Sequence, residues 1–196
     1  LSGIITKGGV IAIIRVTYYL VGPDFIRGTW AQNTLLTLAI ITVFMGSMLA
    51  YKEKLLKRRL AYSTVSQVSY VLFGLFLLHP LGFLGALMQV VFHAVAKNTL
   101  FLGAGAIIYK TGKTFVYELK GLGKEMPIVM WTFAIASLSL IGIPPTAGFV
   151  SKWYLAQGGL QPDFGTLGLV GIAVLMVSAL LTAGYLLPIV SAAFFP

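Results

Sequence analysis

The chain has 196 residues, 58% hydrophobic and only 10% charged, with a mean hydropathy of +0.94, whereas soluble domains carry roughly 25% charged residues. Basic residues outnumber acidic ones fourteen to five, yet the apolar runs between them are too long for a soluble core of this size, which excludes a nucleic-acid module and makes the charge a marker of membrane topology. The absence of cysteine excludes disulfides, cysteine-held iron–sulfur clusters and thiolate nucleophiles, two histidines 14 residues apart make a poor metal site, and no cofactor is expected.

The charges are bunched, so the gaps read as membrane spans of about 20 residues. The first covers 1–21 and is apolar except for Lys7 and Arg15. It begins without an initiator methionine or a signal-peptide pattern, as expected of an incomplete polypeptide. The second, 28–51, lies between Arg27 and Lys52, and the third and fourth, 60–78 and 81–109, are separated by His79-Pro80. The fifth, 126–156, has Pro144-Pro145 in its middle, and the sixth covers 165–190. The expected fold is therefore an all-α membrane protein, a single transmembrane domain over 1–196 of roughly six helices.

If the spans alternate, loop 52–59 (Lys52, Lys54, Lys57, Arg58, Arg59) and loop 110–125 (Lys110, Lys113, Lys120, Lys124) share one side. The other side receives only Arg27 and the His79-Pro80 turn. The positive-inside rule turns the nine-residue side toward the cytoplasm, matrix or stroma.

Three lysines belong to no loop: Lys7, Lys97 and Lys152. An intramembrane lysine costs about 2.5–3.5 kcal/mol even on lenient insertion scales and usually faces a bundle interior or a hydrated cavity. Lys97 is too deep in its span to snorkel out easily, so it is either a conducting group or a structural lysine paired to a buried carbonyl. Lys7 and Lys152 could also sit at an interface, while Arg15, toward the outer end of its span, is placed to reach headgroups. Gln89, His93 and Lys97 follow at i, i+4 and i+8, one helical stripe about 12 Å long. Groups that hold or relay protons on one stripe of an apolar span are what a proton wire needs, with water filling the gaps. In the fifth span, Pro144 and Pro145 remove two backbone donors, so the helix must break there. Unwound backbone inside a membrane belongs where protein or a cavity surrounds it.

Three stretches carry a family resemblance. They are Leu56-Lys57-Arg58-Arg59-Leu60-Ala61-Tyr62-Ser63-Thr64-Val65-Ser66-Gln67, then His93-Ala94-Val95-Ala96-Lys97 before Leu100-Phe101-Leu102-Gly103, and Gly142-Ile143-Pro144-Pro145-Thr146-Ala147-Gly148-Phe149-Val150-Ser151-Lys152. Together they resemble the antiporter-like, proton-conducting subunits shared by respiratory complex I, energy-converting membrane hydrogenases and Mrp-type sodium/proton antiporters. The resemblance implies the second half of a bundle of two inverted repeats. It also implies a proton relay of Lys7 (in the stretch Ile4-Ile5-Thr6-Lys7-Gly8-Gly9-Val10), His93, Lys97 and Lys152, supported by Gln89, Pro144, Pro145 and Ser151. Gln89 stands where longer subunits of this type often carry another histidine, and the glutamate–lysine pair of the family's first half is not in this sequence.

The expected function is proton translocation within a multi-subunit redox-driven or cation/proton exchange complex, with other membrane subunits and the lipid bilayer as partners and no redox or hydrolytic site in this chain. Whether sodium also moves is left open. A non-conducting scaffold that anchors a peripheral enzyme through the basic face is the alternative.

Overall fold

The computed structural model describes residues 5–195, which are helical almost throughout, with no β-strand among them beyond one antiparallel bridge. The expected start of the first span, and Ile4 of its motif, lie outside the described residues.

Helix α1 (Ile5–Ile14) continues as a π-helical stretch, Arg15–Val21, and the connection after it holds the short α2 (Pro23–Ile26). There follow α3 (Trp30–Lys52), α4 (Leu56–Phe76) and α5 (Pro80–Thr111), then α6 (Leu122–Glu125), α7 (Pro127–Ile141), α8 (Ala147–Gly159) and α9 (Gly165–Phe194). Helices α3, α5 and α9 are each long and apolar enough to cross a membrane. Helix α4 matches them in length but spends its inward face on Ser63, Thr64, Ser66, Gln67 and Ser69, all buried.

Two boundaries differ from the sequence reading by four residues: α9 runs on to Phe194, past 190, and α4 begins before 60. Helix α4 starts at Leu56, so Lys57, Arg58 and Arg59 form its first turn instead of a loop. The Glu53 carboxylate accepts the N–H groups of Lys54 (3.0 Å) and Leu55 (3.1 Å) and turns the chain early. Arg59 reaches back to the Glu53 carbonyl (2.8 Å) and across to that of Tyr185 (3.0 Å), which anchors the turn to α9.

At this basic end, Leu56 N–H donates to Thr114 O and Val116 N–H to Lys54 O, each at 3.0 Å. Gly121 N–H donates to Ala192 O near the end of α9. At the other end, Arg27 donates to Leu78 O, Gln32 to Phe76 O and Tyr18 to Leu75 O. Helices α3, α4, α5, the broken pair α7–α8 taken together, and α9 therefore alternate in direction.

Helix α4 packs between α3 and α5, α5 carries α7 and α8, and α9 closes against α3 and α7. Small residues bring these backbones together. A Cβ on Gly46 would stand 2.7 Å from Ser66 N, and one on Gly85 2.8 Å from Leu155 N.

Two apolar clusters result. One, at the basic end, includes Leu56, Leu100, Phe133 and Leu186; the other, at the far end, includes Leu36, Phe73, Leu77 and Leu155. Between them lies a layer of buried polar side chains: Ser47, Ser63, Ser66, Gln67, Gln89, His93, Lys97, Ser137, Ser151, Ser178 and Thr182. Buried polar groups are costly unless hydrogen-bonded, so the bonding of this layer is where function has to be sought.

Candidate proton-relay site

The stripe expected on α5 is present, and α4 runs antiparallel beside it as a second rail. Lys97 is fully buried. Its ammonium donates to Leu60 O at 2.7 Å and to the hydroxyl of Ser63, one turn further along α4. Phe101, one turn along α5, puts its ring centroid 5.9 Å from the same nitrogen. One step along both rails, Gln89 Nε2 donates to Gln67 Oε1 at 2.7 Å. Gln89 Oε1 accepts from the Ser151 hydroxyl of α8 at 2.5 Å, which ties the broken helix to both rails.

Lys7, also buried, lies with its ammonium 2.7 Å from His93 Nδ1. An ammonium has no acceptor lone pair, so charged Lys7 donates to Nδ1, and the ring proton of a neutral His93 is then on Nε2. That Nε2 has no hydrogen-bond partner among the described residues, nor do Gln67 Nε2 on α4 and Ser137 Oγ on α7. Three helices thus present unsatisfied polar atoms to the interior at the level of the relay.

The geometry of Lys152 follows from the helix break by arithmetic. In an α-helix, residue i donates to the carbonyl of residue i−4. Pro144 and Pro145 have no N–H, so the carbonyls they leave unpaired are those of Leu140 and Ile141. These are the two that the Lys152 ammonium takes, at 2.8 and 2.6 Å. Gly142 ends α7 at φ +87°, where a side chain would be strained, and its Cα sits under the lysine stem. Thr146 then restarts the chain as α8 through a bond from its N–H to Ile143 O. The ring of Tyr70, from α4, lies with its centroid 5.2 Å from Lys152 Nζ.

Lys97 and Lys152 are thus held by neutral oxygens. The chain's five carboxylates are Asp24, Glu53, Glu118, Glu125 and Asp163, and none falls within α3, α4, α5, α7, α8 or α9. The ion pairs Arg27–Asp24 and Arg58–Glu53 are at the ends of the bundle.

The structure joins Lys7 to His93 and links Gln89 to Ser151, while it gives Lys97 and Lys152 separate partner sets. Sequence reasoning missed Ser63, Gln67 and Tyr70 on α4. Their i, i+4, i+7 spacing, a buried stripe on one helix face, is the signal that could have found them.

A helical membrane bundle with lysines buried inside it and a broken helix feeding its interior is a class that known families share. The model of the NADH:quinone oxidoreductase/Mrp antiporter transmembrane family matches residues 1–182, and this chain belongs to that family. It is 38% identical over 200 residues to an NADH-quinone oxidoreductase subunit of Desulforudis audaxviator, covering 99% of this chain and 38% of that protein. To a Na+/H+ antiporter subunit of Alkalihalophilus pseudofirmus it is 35% identical over 173 residues, covering 88% of this chain and 34% of that protein. The Mrp complex of a Dietzia species contains a chain that superposes on all of this one with a TM-score of 0.88 and 31% identity, 35% of that chain being covered. The chain thus spans less than two fifths of each of these three relatives.

Proposed function

We propose that this chain is the proton-conducting part of an antiporter-like subunit in a multi-subunit membrane complex, and that Lys7, His93, Lys97 and Lys152 carry the protons. Gln89 and Ser151 bridge α5 to the broken helix, and Pro144 and Pro145 free the carbonyls that seat Lys152. The observation that carries this reading is the buried polar layer with the half-buried Lys152 beside it: Lys97, inside the layer, and Lys152 both rest on neutral oxygens. The unsatisfied Gln67 Nε2, His93 Nε2 and Ser137 Oγ support it, since buried water bonds to polar atoms of this kind. A proton arriving at one lysine repels that on the next, so alternating occupancy moves charge along the layer.

In this reading the helices form six spans, at about 1–21, 28–51, 60–78, 81–109, 126–156 and 165–190, and the nine-residue basic end faces the cytoplasm or matrix. The partners are the other membrane subunits of a respiratory dehydrogenase, hydrogenase or antiporter, which supply the redox chemistry or exchange sodium.

The test is Lys97→Ala in the intact complex, reconstituted in vesicles. Proton translocation is expected to fall by at least about tenfold, the equivalent of about 1.4 kcal/mol on the limiting step, while the complex still assembles. Undiminished translocation overturns the assignment. One observation favours a second reading, a non-conducting scaffold: Lys97 is fixed by Leu60 O and Ser63 as a structural lysine would be. The same experiment decides between them.

A further inference from the structure

The polar layer contains a second set of neighbouring groups, on the side of α4 facing α3 and α9, and all of their polar side-chain atoms are hydroxyls. Because Lys97 donates to Ser63 Oγ, the Ser63 proton is free to point onward. Ser63 neighbours the Tyr185 hydroxyl, which donates to Thr182 Oγ1 at 3.3 Å, and Thr182 donates to the Ser178 carbonyl at 2.8 Å. One turn along α9, Ser178 Oγ joins Ser47 Oγ (2.5 Å) and Ser66 Oγ (3.1 Å), which are 2.8 Å apart. Ser178 is in turn a side-chain neighbour of the Tyr70 hydroxyl, which donates to Leu175 O at 2.8 Å. Tyr70 and Lys152 both line a cavity of about 150 Å³, room for more than one water.

These serines and Thr182 are buried with at most 1% of their surface exposed, as are both tyrosines. Packing alone would be met more cheaply by alanine, valine and phenylalanine, because hydroxyls brought out of water return little net stability even when bonded.

We infer that Ser63, Tyr185, Thr182, Ser178 and Tyr70 form a hydroxyl chain that carries protons from Lys97 toward Lys152, in parallel with the amide link through Gln67, Gln89 and Ser151. The inference rests on the proposed relay, for which it supplies a second branch. The step balances without any oxidant or reductant. Lys97 Nζ passes a proton to Ser63 Oγ as Ser63 releases its own to Tyr185, and Tyr185 releases its own to Thr182. The Thr182 hydroxyl turns from the Ser178 carbonyl to the Ser178 oxygen and hands on its proton. Ser178 gives its proton to Tyr70, whose own goes to water in the cavity, and that water protonates the Lys152 amine. Only O–H and N–H bonds are made and broken, and each hydroxyl ends as a hydroxyl.

The test uses the whole host complex in vesicles, with proton translocation read by a pH-sensitive dye in H2O and in D2O. Tyr185→Phe and Ser178→Ala each remove one oxygen from the hydroxyl branch, and Gln89→Met cuts the amide branch. Two parallel links of equal rate leave about half the translocation when either is cut, and far less than the product of the two losses when both are cut. Tyr185→Phe should also change the solvent isotope effect, which a packing role would not move. If Tyr185→Phe and Ser178→Ala add nothing to Gln89→Met and leave the isotope effect unchanged while Lys97→Ala abolishes translocation, the hydroxyl branch is overturned and the relay stands. If Lys97→Ala leaves translocation intact, both fall together.

Discussion

Lys97 and Lys152 solve the same problem in opposite ways. Each is an ammonium inside an apolar bundle with no carboxylate on the helices around it. Lys97 stays on an unbroken helix and reaches a carbonyl inside the unbroken α4, where Leu60 O also accepts from the Thr64 hydroxyl at 3.1 Å. Lys152 instead takes two carbonyls that have lost their helical donors to Pro144 and Pro145. Lys97 is therefore a guest of a structure that stands without it, whereas Lys152 completes the structure that receives it.

The largest effect expected from that difference is on stability. Lys152→Met leaves the Leu140 and Ile141 carbonyls buried and unpaired. At about 1–3 kcal/mol for each unsatisfied group, the variant should unfold at a clearly lower temperature in detergent. Lys97→Met removes a buried charge from a site whose other bonds persist, and replacing buried charges with apolar groups is often neutral or stabilising. Its melting temperature should stay near that of the parent. Equal losses at the two positions would erase the distinction.

A smaller effect sharpens the same comparison. In the Lys152→Met background, Pro144→Ala with Pro145→Ala restores two N–H donors at the register of Leu140 and Ile141. Part of the stability should return, about 1 kcal/mol per recovered hydrogen bond, and the break between α7 and α8 should shorten. The same pair of substitutions in the parent chain sets the new donors against Lys152 and should lower proton translocation. A structure of the double alanine variant with an unchanged break would show that the residues around it, not the prolines, hold it open.

The contrast also explains what could be read from sequence. A lysine in an apolar run is conspicuous, and so is a proline pair, so Lys97, Lys152 and the position of the break were all legible. That Lys152 would take the carbonyls of Leu140 and Ile141 was legible in principle, by counting four residues back from each proline. The partners on α4 and α9 were not. Serine and threonine in an apolar helix usually bond to their own backbone, as Thr64, Ser69 and Thr182 do here, so nothing local marks Ser63 or Ser178. Ser178 meets Ser47 across 131 positions of sequence and Ser66 across 112, pairings that only the packed bundle defines. The start of α4 was misplaced because three consecutive cations read as a loop, when the Glu53 carboxylate and carbonyl were there to receive the turn.

The smallest effect belongs to that turn, where charges outside the membrane are handled in a third way. Glu53 accepts the N–H groups of Leu55 and Lys54 and pairs with Arg58. The bond from Leu55 foremost, aided by that from Lys54 and by the positive charges of Arg58 and Arg59, holds its carboxyl below the ordinary range, against an opposing effect of desolvation that only the Leu55 bond exceeds singly. A carboxyl depressed on folding adds stability above its unfolded value, about 4.3 for glutamate, and that contribution disappears as pH falls through the lower folded value. Protection of the Leu56 and Val116 amides, which bond to Thr114 O and Lys54 O, should therefore weaken on acidification below about pH 4. Glu53→Gln cannot titrate and keeps only one acceptor oxygen, so its protection should be lower near neutral pH and lack the acid-dependent step. An acid step of the same size in that variant would show that the Glu53 carboxyl is not its source.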